Sequence, residues 1–303
     1  MSKIILYYKY VRIDNPQKLA GQQELICKKL GLKGRILIAE EGINGTVEGA
    51  DVAIQEYIAD LKSHPEFTDM NVKISDGVGK TFPKLSIKVR KEIVSSHLGA
   101  KDLNPIEVTG KYLSAEDLHS WIHDKSKEFY IVDMRNDYEQ KGGHFAGSIF
   151  SGMQNFRDLQ KVLPRLKHLQ NKTIVTVCTG GVRCEKASGF LLKNGFNDVY
   201  QLKDGIVTYM EKFPNEDFLG KLYVFDGRVL MGFNLNDPRH VVVGKCDKCG
   251  ETSENYINCA DPLCHNHFIC CKKCVTKNGE GFCTLKCRIK HGIRKFTKEL
   301  KGN

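Results

Sequence analysis

The residues best suited to chemistry form a short loop around Cys178. A nearly continuous apolar run at 173–177 precedes this cysteine, and Arg183 lies five positions after it. Gly180 and Gly181 allow a tight turn that points backbone N–H groups at the sulfur. These N–H groups, the N-terminus of the helix predicted to follow, and the charge of Arg183 all favour a thiolate. We therefore expect a depressed pKa for Cys178, and a thiolate at neutral pH is a nucleophile that can also carry a further sulfur atom.

The size of the loop favours sulfur chemistry over phosphate chemistry. Four residues, Thr179 to Val182, separate Cys178 from Arg183, one fewer than in the loop of a cysteine phosphatase. The smaller ring suits a single large atom better than a tetrahedral oxyanion. A purely structural cysteine would not require two glycines and an arginine directly after it. Cys184 is either a resolving thiol for Cys178 or a residue of the helix core.

Two motifs that precede the loop are expected to support it. Asp133, Arg135 and Glu139 have the spacing D-x-R-x-x-x-E, directly after a predicted strand. His144 lies in the segment 143–148, which has the pattern G-H-x-x-G-S. Asp133 and Arg135 either brace the neighbouring loops or take part in catalysis. His144 is either a packed, hydrogen-bonded residue or a general base.

Cysteines at metal-ligand spacing are concentrated near the C-terminus, where nine of the 12 cysteines lie. Short spacings let both sulfurs of a pair reach one tetrahedral ion, so the pairs predict two zinc sites. A cross-braced arrangement groups the ligands as Cys246, Cys249, Cys271 and Cys274 for one ion and Cys259, Cys264, Cys283 and Cys287 for the other. The possible substitutes are Cys270, His265, His267 and His291. An iron–sulfur cluster is an alternative, and a disulfide framework is disfavoured in a cytoplasmic protein.

A parallel sheet is needed to hold the Cys178 loop. Strands are predicted at 130–134, 173–177 and 199–202, and helices at 114–122 and 185–193. This alternation predicts an α/β domain with helices on both faces of the sheet, which we assign to residues 110–220. Ligands of such sheets bind beyond the carboxyl ends of the strands, which is where Cys178 is predicted to lie.

Two smaller domains are predicted on either side of this sheet. Residues 1–105 follow the order β-α-β-β-α-β, which predicts a ferredoxin-like (acylphosphatase-like) α+β domain. Residues 240–303 have few apolar side chains outside the tail, so we expect a small Cys-rich module that folds around metal. The chain is thus predicted to be a multidomain α/β protein.

The C-terminal tail is predicted to be an amphipathic basic helix. Its apolar residues recur at helical spacing among lysines and arginines, and they are Ile289, Ile293, Phe296 and Leu300. Such a helix either covers a small core with a solvated outer face or contacts an RNA backbone. The two interpretations remain open at this point.

Composition excludes several classes of protein. The chain has 303 residues, 41% hydrophobic and 27% charged, as expected for globular domains. No apolar run approaches the roughly 18 residues that cross a bilayer, and the start of the sequence has no signal-peptide pattern. We therefore expect a cytoplasmic protein without a membrane partner. The net charge of +10 suits a polyanionic partner.

These motifs together resemble a known family. The segment 110–220 resembles a single rhodanese domain, in which the loop cysteine forms a persulfide. The whole chain resembles the rhodanese-type tRNA uridine(34) hydroxylases, most specifically at 34–46, at 178–188 and around Cys271 and Cys274. The resemblance implies that molecular oxygen is a co-substrate, that the wobble uridine of tRNA is converted to 5-hydroxyuridine, and that the partner is the tRNA anticodon loop rather than DNA. The electron donor is not implied.

We hypothesise the following mechanism for the loop. Cys178 adds to carbon 6 of the uracil ring, or it carries an oxidised or persulfide sulfur, while Arg183 stabilises the anionic sulfur. Because the base must leave its stack, we expect Cys178 at the bottom of a cup that an extruded base can enter. One alternative is a sulfurtransferase that passes sulfur from a Cys178 persulfide to cyanide or a small thiol. Another is a non-enzymatic, zinc-dependent RNA-binding protein.

Overall fold

The structure is a computed structural model that describes residues 2–98, 103–264, 266–276 and 279–301. Its N-terminal region is a five-stranded sheet with the order β4-β1-β3-β2-β5. The elements are β1 (Ser2–Tyr10), α1 (Pro16–Lys29), β2 (Lys33–Ala39), β3 (Gly42–Ala50), α2 (Asp51–Ser63), a 3-10 turn at Pro65–Phe67, β4 (Val72–Gly77) and β5 (Leu85–Val89). All strand pairs are antiparallel except β2 with β5. The predicted ferredoxin-like fold is confirmed, with β5 as an additional edge strand.

The two faces of this N-terminal sheet have different roles. Side chains of a strand point alternately to opposite faces. Along β1, Ile5 and Tyr7 are buried in the core that α1 and α2 cover. Leu6 and Tyr8 point the other way and line a cavity toward the next region. The face of the sheet opposite α1 and α2 is therefore directed toward the central region of the chain.

The central region is the predicted parallel sheet, with strand order β6-β11-β10-β7-β9. Its elements are β6 (Lys111–Leu113), α3 (Ala115–His123), β7 (Tyr130–Asp133), α4 (Asp137–Gln140), β8 (Gly143–Phe145), β9 (Ile149–Phe150), α5 (Leu163–Leu166), β10 (Thr173–Val177), α6 (Val182–Lys193), β11 (Asp198–Leu202) and α7 (Gly205–Lys212). Short 3-10 helices lie at Phe156–Val162 and Lys167–Leu169. Every pair within the five-stranded sheet is parallel.

Helices cover both faces of the central sheet, as predicted. Ile174 of β10 packs with Ala187 and Leu191 of α6. Val175, the next residue of the strand, packs on the opposite side with Leu118 of α3. Because both faces are buried, β10 is largely apolar, which is typical of parallel strands, and the buried Thr176 hydroxyl donates to the Tyr200 carbonyl at 3.2 Å. The carboxyl ends of β7 and β10 lie side by side at one edge of this layer.

The C-terminal region extends from the central sheet into the cysteine-rich module. Its elements are β12 (Phe218–Gly220), β13 (Leu222–Tyr223), β14 (Leu230–Met231), β15 (Tyr256–Asn258), β16 (His267–Ile269) and α8 (Leu285–Lys301). β12 pairs with β8 of the central region. The core of the module consists largely of cysteine side chains packed around Phe268. In the described ranges, no helix is long and apolar enough to cross a membrane.

The tail forms the predicted helix α8, but its apolar side chains at Ile289 and Ile293 are largely exposed. Ile289 and Ile293 are 53% and 61% exposed, so these two residues cover no core. The side chains of Phe296 and Leu300, which complete the predicted apolar stripe, lie outside the described part of the structure. Arg294 pairs with the buried carboxylate of Asp261 and ties the helix to the module.

Candidate active site and metal centre

The Cys178 loop lies where the sequence predicts it, between a buried strand and a helix. Cys178 follows β10 directly, and α6 begins at Val182, three residues before the predicted start at Glu185. Gly181 has a φ of +103°, a backbone conformation that side chains with a Cβ rarely adopt. The loop therefore turns within three residues and directs its N–H groups toward the sulfur.

The environment of Cys178 favours the thiolate. The Gly181 N–H donates a hydrogen bond to Sγ at 3.2 Å. Burial by itself would raise the pKa of Cys178. A hydrogen bond from the Cys184 thiol, the charge of Arg183 and the N–H groups of both residues outweigh that effect and lower the pKa to about 6. At neutral pH the sulfur is therefore anionic.

Cys184 is the thiol that donates to this anion. Its side chain is buried one turn into α6. Burial, together with its hydrogen bond to Cys178, raises the pKa of Cys184 well above its usual value. Cys184 therefore keeps its proton while Cys178 loses one. In this arrangement it acts as a hydrogen-bond donor to Cys178.

Arg183 is fixed by Glu139. Its Nη1 and Nη2 lie 2.5 and 2.8 Å from the two carboxylate oxygens, and Nη2 also donates to Thr179 Oγ1 at 3.1 Å. Both charged side chains are buried, so the bidentate pair holds the guanidinium in one orientation. Glu139 belongs to the D-x-R-x-x-x-E motif, but its role in holding Arg183 is not evident from the sequence.

Asp133 and Arg135 form a buried pair of their own. Arg135 Nη2 lies 2.6 Å from Asp133 Oδ2 and donates to the carbonyl of Gly143 at 2.7 Å. These contacts brace the segment that carries His144. The His144 ring hydrogen-bonds the Gln140 carbonyl through Nδ1 at 3.0 Å and packs edge-on against Phe150. None of the three residues lines the cavity described below.

The N-terminal sheet covers the loop. A Cβ at Gly180 would lie 2.8 Å from Leu6, and one at Gly181 would lie 2.6 Å from the Tyr8 hydroxyl. Lys73 Nζ donates to the Gly180 carbonyl at 3.3 Å. Cys178 is consequently completely buried. The predicted cup open to an extruded base is therefore not what the structure shows, because side chains from another domain close it.

A buried carboxylate joins Tyr8 to the helix behind the loop. Glu185 accepts hydrogen bonds from the hydroxyls of Tyr8 at 3.2 Å, Tyr112 at 2.9 Å and Thr109 at 2.9 Å. Gln201 Nε2 adds a fourth at 3.1 Å. Burial and the charge of Glu185 raise the pKa of Tyr8 well above its usual value, so this hydroxyl remains a donor.

A second interdomain contact is ionic. Lys186 is 2% exposed, and its Nζ lies 2.9 Å from Glu41 and 2.8 Å from Glu92. Both carboxylates come from the N-terminal part of the chain, whereas Lys186 is on α6. A buried cation between two carboxylates fixes the N-terminal region against the helix that begins at the Cys178 loop. No local sequence pattern distinguishes these three residues, so the contact could not be predicted from the sequence.

A cavity of about 560 Å³ lies between the N-terminal sheet and the central region. The loop supplies part of its lining through Thr179, Gly180, Val182 and Arg183. The sheet contributes residues that sequence analysis did not select, and these are Leu6, Tyr8, Arg35, Leu37, Asn44 and Lys73. Asn136, Arg157 and Phe225 also line the cavity. The cavity is therefore the space adjacent to the anionic sulfur, with Cys178 itself beneath the lining.

The C-terminal cysteines form two groups of four. Cys246, Cys249, Cys271 and Cys274 have sulfurs within 4.8 Å of one another, and so do Cys259, Cys264, Cys283 and Cys287. These are the sets of the cross-braced arrangement. Sulfur pairs at 3.4 and 3.6 Å are close to the roughly 3.8 Å edge of a tetrahedron with Zn–S bonds of about 2.3 Å. The residues present therefore fit two tetrahedral ions.

Of the possible substitute ligands, Cys270, His267 and His291 belong to neither group, and His265 lies outside the described residues. His267 Nδ1 is 2.9 Å from the Tyr223 hydroxyl, and burial lowers the pKa of His267. Its imidazole is therefore engaged in a contact with Tyr223 of β13.

The cysteine-rich module is attached to α4, the helix that carries Glu139. The Tyr256 hydroxyl donates to the Tyr138 carbonyl at 2.5 Å. Lys141 Nζ lies 3.1 Å from the Asp247 carboxylate. The module thus contacts Tyr138 and Lys141, which lie on either side of Glu139, the residue that orients Arg183.

Three family models match consecutive parts of the chain. The UPF0176 acylphosphatase like domain matches residues 2–93, the rhodanese-like domain matches residues 114–212, and the rhodanase C-terminal domain matches residues 219–288. Similar solved structures include a rhodanese-like domain from Anabaena sp., with 19% identity and a TM-score of 0.32 over 37% of this chain and 80% of that one.

Full-length relatives are more similar. A tRNA uridine(34) hydroxylase from Bacillus licheniformis is 43% identical over 300 residues, covering 98% of this chain and 91% of the relative. The protein of that name from Cytophaga hutchinsonii is 39% identical over 306 residues, covering 99% and 96%. One from Bacillus velezensis is 44% identical over 271 residues, covering 88% and 83%.

Proposed function

Because the chain belongs to the tRNA uridine(34) hydroxylase family, we propose that it hydroxylates carbon 5 of the wobble uridine of tRNA and that Cys178 supplies the reactive sulfur. The observation that carries the proposal is an ionised sulfur directly beneath the lining of an interdomain cavity. One oxygen atom of O₂ enters the ring, and the other leaves as water with two electrons and two protons. A separate reductant supplies those electrons.

The cavity suits an extruded nucleotide. Its volume of about 560 Å³ lies within the usual range for small-molecule sites. Tyr8 and Phe225 provide aromatic surfaces on which a base can stack. Arg35 and Arg157 also line it and form no ion pair within the described residues, so their charge is available for phosphates beside the base. We place the anticodon loop here.

The enclosure of Cys178 constrains how its sulfur reaches the base. Direct addition of the thiolate to carbon 6 requires Tyr8 and Leu6 to separate from the loop. A persulfide on Cys178 would instead extend the reactive sulfur by one bond toward the cavity. In either route Arg183, held by Glu139, stabilises the negative charge on sulfur, together with the loop N–H groups.

Nucleoside analysis tests the proposal. In tRNA from cells that lack this protein, we expect 5-hydroxyuridine to disappear and to return with the wild-type chain but not with Cys178→Ser. Growth without oxygen should also remove it. Cys27→Ala is the matched control, because it changes a buried cysteine in the core of the N-terminal region. Undiminished 5-hydroxyuridine with Cys178→Ser would exclude Cys178 from the reaction.

The second candidate function is sulfur transfer, which the rhodanese-like loop favours. A purified chain that forms thiocyanate from thiosulfate and cyanide rapidly, but leaves tRNA unmodified, would support it. A chain that binds tRNA normally with neither activity would support the non-enzymatic alternative. The intact ionised Cys178 argues against the latter.

For the cysteine-rich module we propose two structural zinc ions, one in each group of four cysteines. When bound, the ions cross-link a segment whose own apolar core is small. We expect two metal equivalents in the purified chain and about one in either Cys249→Ser or Cys287→Ser. Fewer than one equivalent in well-folded wild-type protein would contradict the assignment.

The basic helix α8 is proposed to contact the tRNA backbone, since its described apolar residues cover no core. No DNA or membrane partner is proposed. A tRNA substrate is consistent with the cytoplasm as the location. Removing two α8 lysines should weaken tRNA binding uniformly and reduce its dependence on salt.

A further inference from the structure

Two histidines on helix α3 form a cluster with carboxylates that does not line the cavity. His119 and His123 are four residues apart, so their side chains lie on one face of α3, with ring centroids 4.3 Å apart. His123 Nδ1 lies 2.8 Å from the His119 carbonyl, and His119 Nδ1 lies 3.1 Å from Asp217 Oδ2. Among the described residues, Nε2 of either ring forms no hydrogen bond.

The partners of Nδ1 determine the tautomer of both rings. A carbonyl and a carboxylate oxygen can only accept, so Nδ1 carries the proton in each ring. Nε2 then has a free lone pair, and neutral imidazole in this form binds metal ions. Metal-binding histidines typically donate the N–H of their other nitrogen to a carbonyl or a carboxylate. His119 also stacks on Phe213, with ring centroids 4.0 Å apart and planes within 3°, which fixes the direction of its lone pair.

Two carboxylates face these lone pairs. Asp217 Oδ1 lies 3.7 Å from His123 Nε2, and Glu216 Oε2 lies 3.6 Å from His119 Nε2. Both distances are too long for a hydrogen bond, and both are close to the roughly 3.4 Å that separates two ligands of a tetrahedral ion with bonds of about 2.1 Å. Ligand atoms of His119, His123 and Asp217 all lie within 4.8 Å of one another. The two carboxylates balance the charge of a divalent cation.

The other contacts of the carboxylates use their other oxygens. The Tyr209 hydroxyl donates to Asp217 Oδ2, and burial raises the pKa of Tyr209, so this hydroxyl remains a donor. Arg239 Nη1 faces Glu216 Oε1 at 3.6 Å. The His123 side chain is 56% exposed, whereas that of Asp217 is 14% exposed. An ion can therefore reach the cluster from solvent and find ligands that are already oriented.

We propose that this cluster binds a divalent transition-metal ion such as zinc, separately from the two groups of four cysteines. Its ligands are His119, His123, Asp217 and Glu216, a nitrogen and oxygen set that suits zinc. The histidines belong to α3, whereas the carboxylates directly precede β12, which pairs with β8. A bound ion therefore joins α3 to the point where the chain leaves the central region. Because the cluster is open to solvent, a chelator removes this ion and leaves the cysteine-bound ions in place.

Metal titration of the full-length chain tests the proposal. Protein washed with a chelator would be titrated with Zn²⁺ by calorimetry. We expect the wild type to bind one further equivalent, and we expect at least about tenfold weaker binding in His123→Gln and in Asp217→Asn, because each variant lacks one ligand. His168→Gln is the matched control and should bind like the wild type, since it changes an exposed histidine of the central region that belongs to no candidate metal group.

Two further measurements distinguish this cluster from the cysteine groups. Co²⁺ bound by nitrogen and oxygen gives weak visible bands without the intense sulfur-to-cobalt absorption of thiolate ligands, and we expect such bands in the wild type but not in His123→Gln. Zn²⁺ at about 100 times its dissociation constant should raise the Tm of the chelator-washed wild type by roughly 5 °C or more and leave that of His123→Gln unchanged.

Three results would overturn the proposal. The first is a wild type that binds no further equivalent of Zn²⁺. The second is equal affinity in the wild type and His123→Gln, which would place the ion elsewhere. The third is a sulfur-to-cobalt band that accompanies the further equivalent, which would assign it to cysteines. None of these readouts depends on tRNA modification or on Cys178, so the proposed function is tested separately.

Discussion

Replacing Cys184 should change the acidity of Cys178. The Cys184 thiol donates to the Cys178 thiolate, and that hydrogen bond is the largest influence that lowers the pKa of Cys178 to about 6. A hydrogen bond to a charged group contributes about 1.5–3 kcal/mol, which corresponds to roughly one to two pH units. In Cys184→Ala we therefore expect the Cys178 midpoint to rise to about 7–8. Cys184→Ser keeps a donor at the same position and should raise it less.

The assay is the ultraviolet absorbance of the thiolate from about pH 4 to pH 9. Subtracting the same titration of Cys178→Ser removes the contributions of all other cysteines. The pair of variants also separates the two interpretations of Cys184, because a resolving thiol would be lost equally in alanine and serine. The reasoning is refuted if Cys184→Ala keeps the wild-type midpoint. It is also refuted if serine and alanine give the same shift.

Three further predictions concern the buried contacts around the loop. Glu139→Gln leaves the guanidinium of Arg183 buried without its counterion and should lower the free energy of unfolding, measured by urea denaturation, by about 3–5 kcal/mol. A double variant that also replaces Arg183 by Met should lose less of that free energy, and equal losses in the two variants would contradict this. Lys186→Met removes the cation beside Glu41, whose pKa burial already raises. A raised folded-state pKa favours the folded state only at acidic pH, so the thermal stability deficit should be large at neutral pH and shrink as pH falls toward about 5; a deficit that does not depend on pH would argue against it. Tyr8→Ala should accelerate alkylation of Cys178 by iodoacetamide, followed by peptide mass spectrometry, while leaving its midpoint near 6, and an unchanged rate would show that Tyr8 does not shield the sulfur.

The sequence predicted the parts of the structure that contiguous residues determine. The Cys178 loop, the strand before it and the helix after it are contiguous, so glycine positions and the strand pattern determine the local backbone. Tetrahedral metal geometry limits the cysteine pairs to a few combinations.

Contacts between domains could not be predicted in the same way. Tyr8 and Lys73 lie more than a hundred residues before the loop that they touch, and no local pattern indicates which face of their sheet is covered. The enclosure of Cys178 follows from that packing. Ile289 and Ile293 show the opposite problem, because apolar spacing on a helix predicts a buried face whether or not a partner domain is present.

The attachment of the cysteine-rich module to α4 links the metal content of the module to the active-site loop. Tyr256 holds the carbonyl of Tyr138, and the next residue in the chain is the carboxylate that orients Arg183. If the two groups of four cysteines hold zinc, as proposed, loss of that zinc would loosen the support of the Arg183 guanidinium as well as the module. Modification at the wobble position would then depend on the zinc supply, although neither group of cysteines lines the cavity.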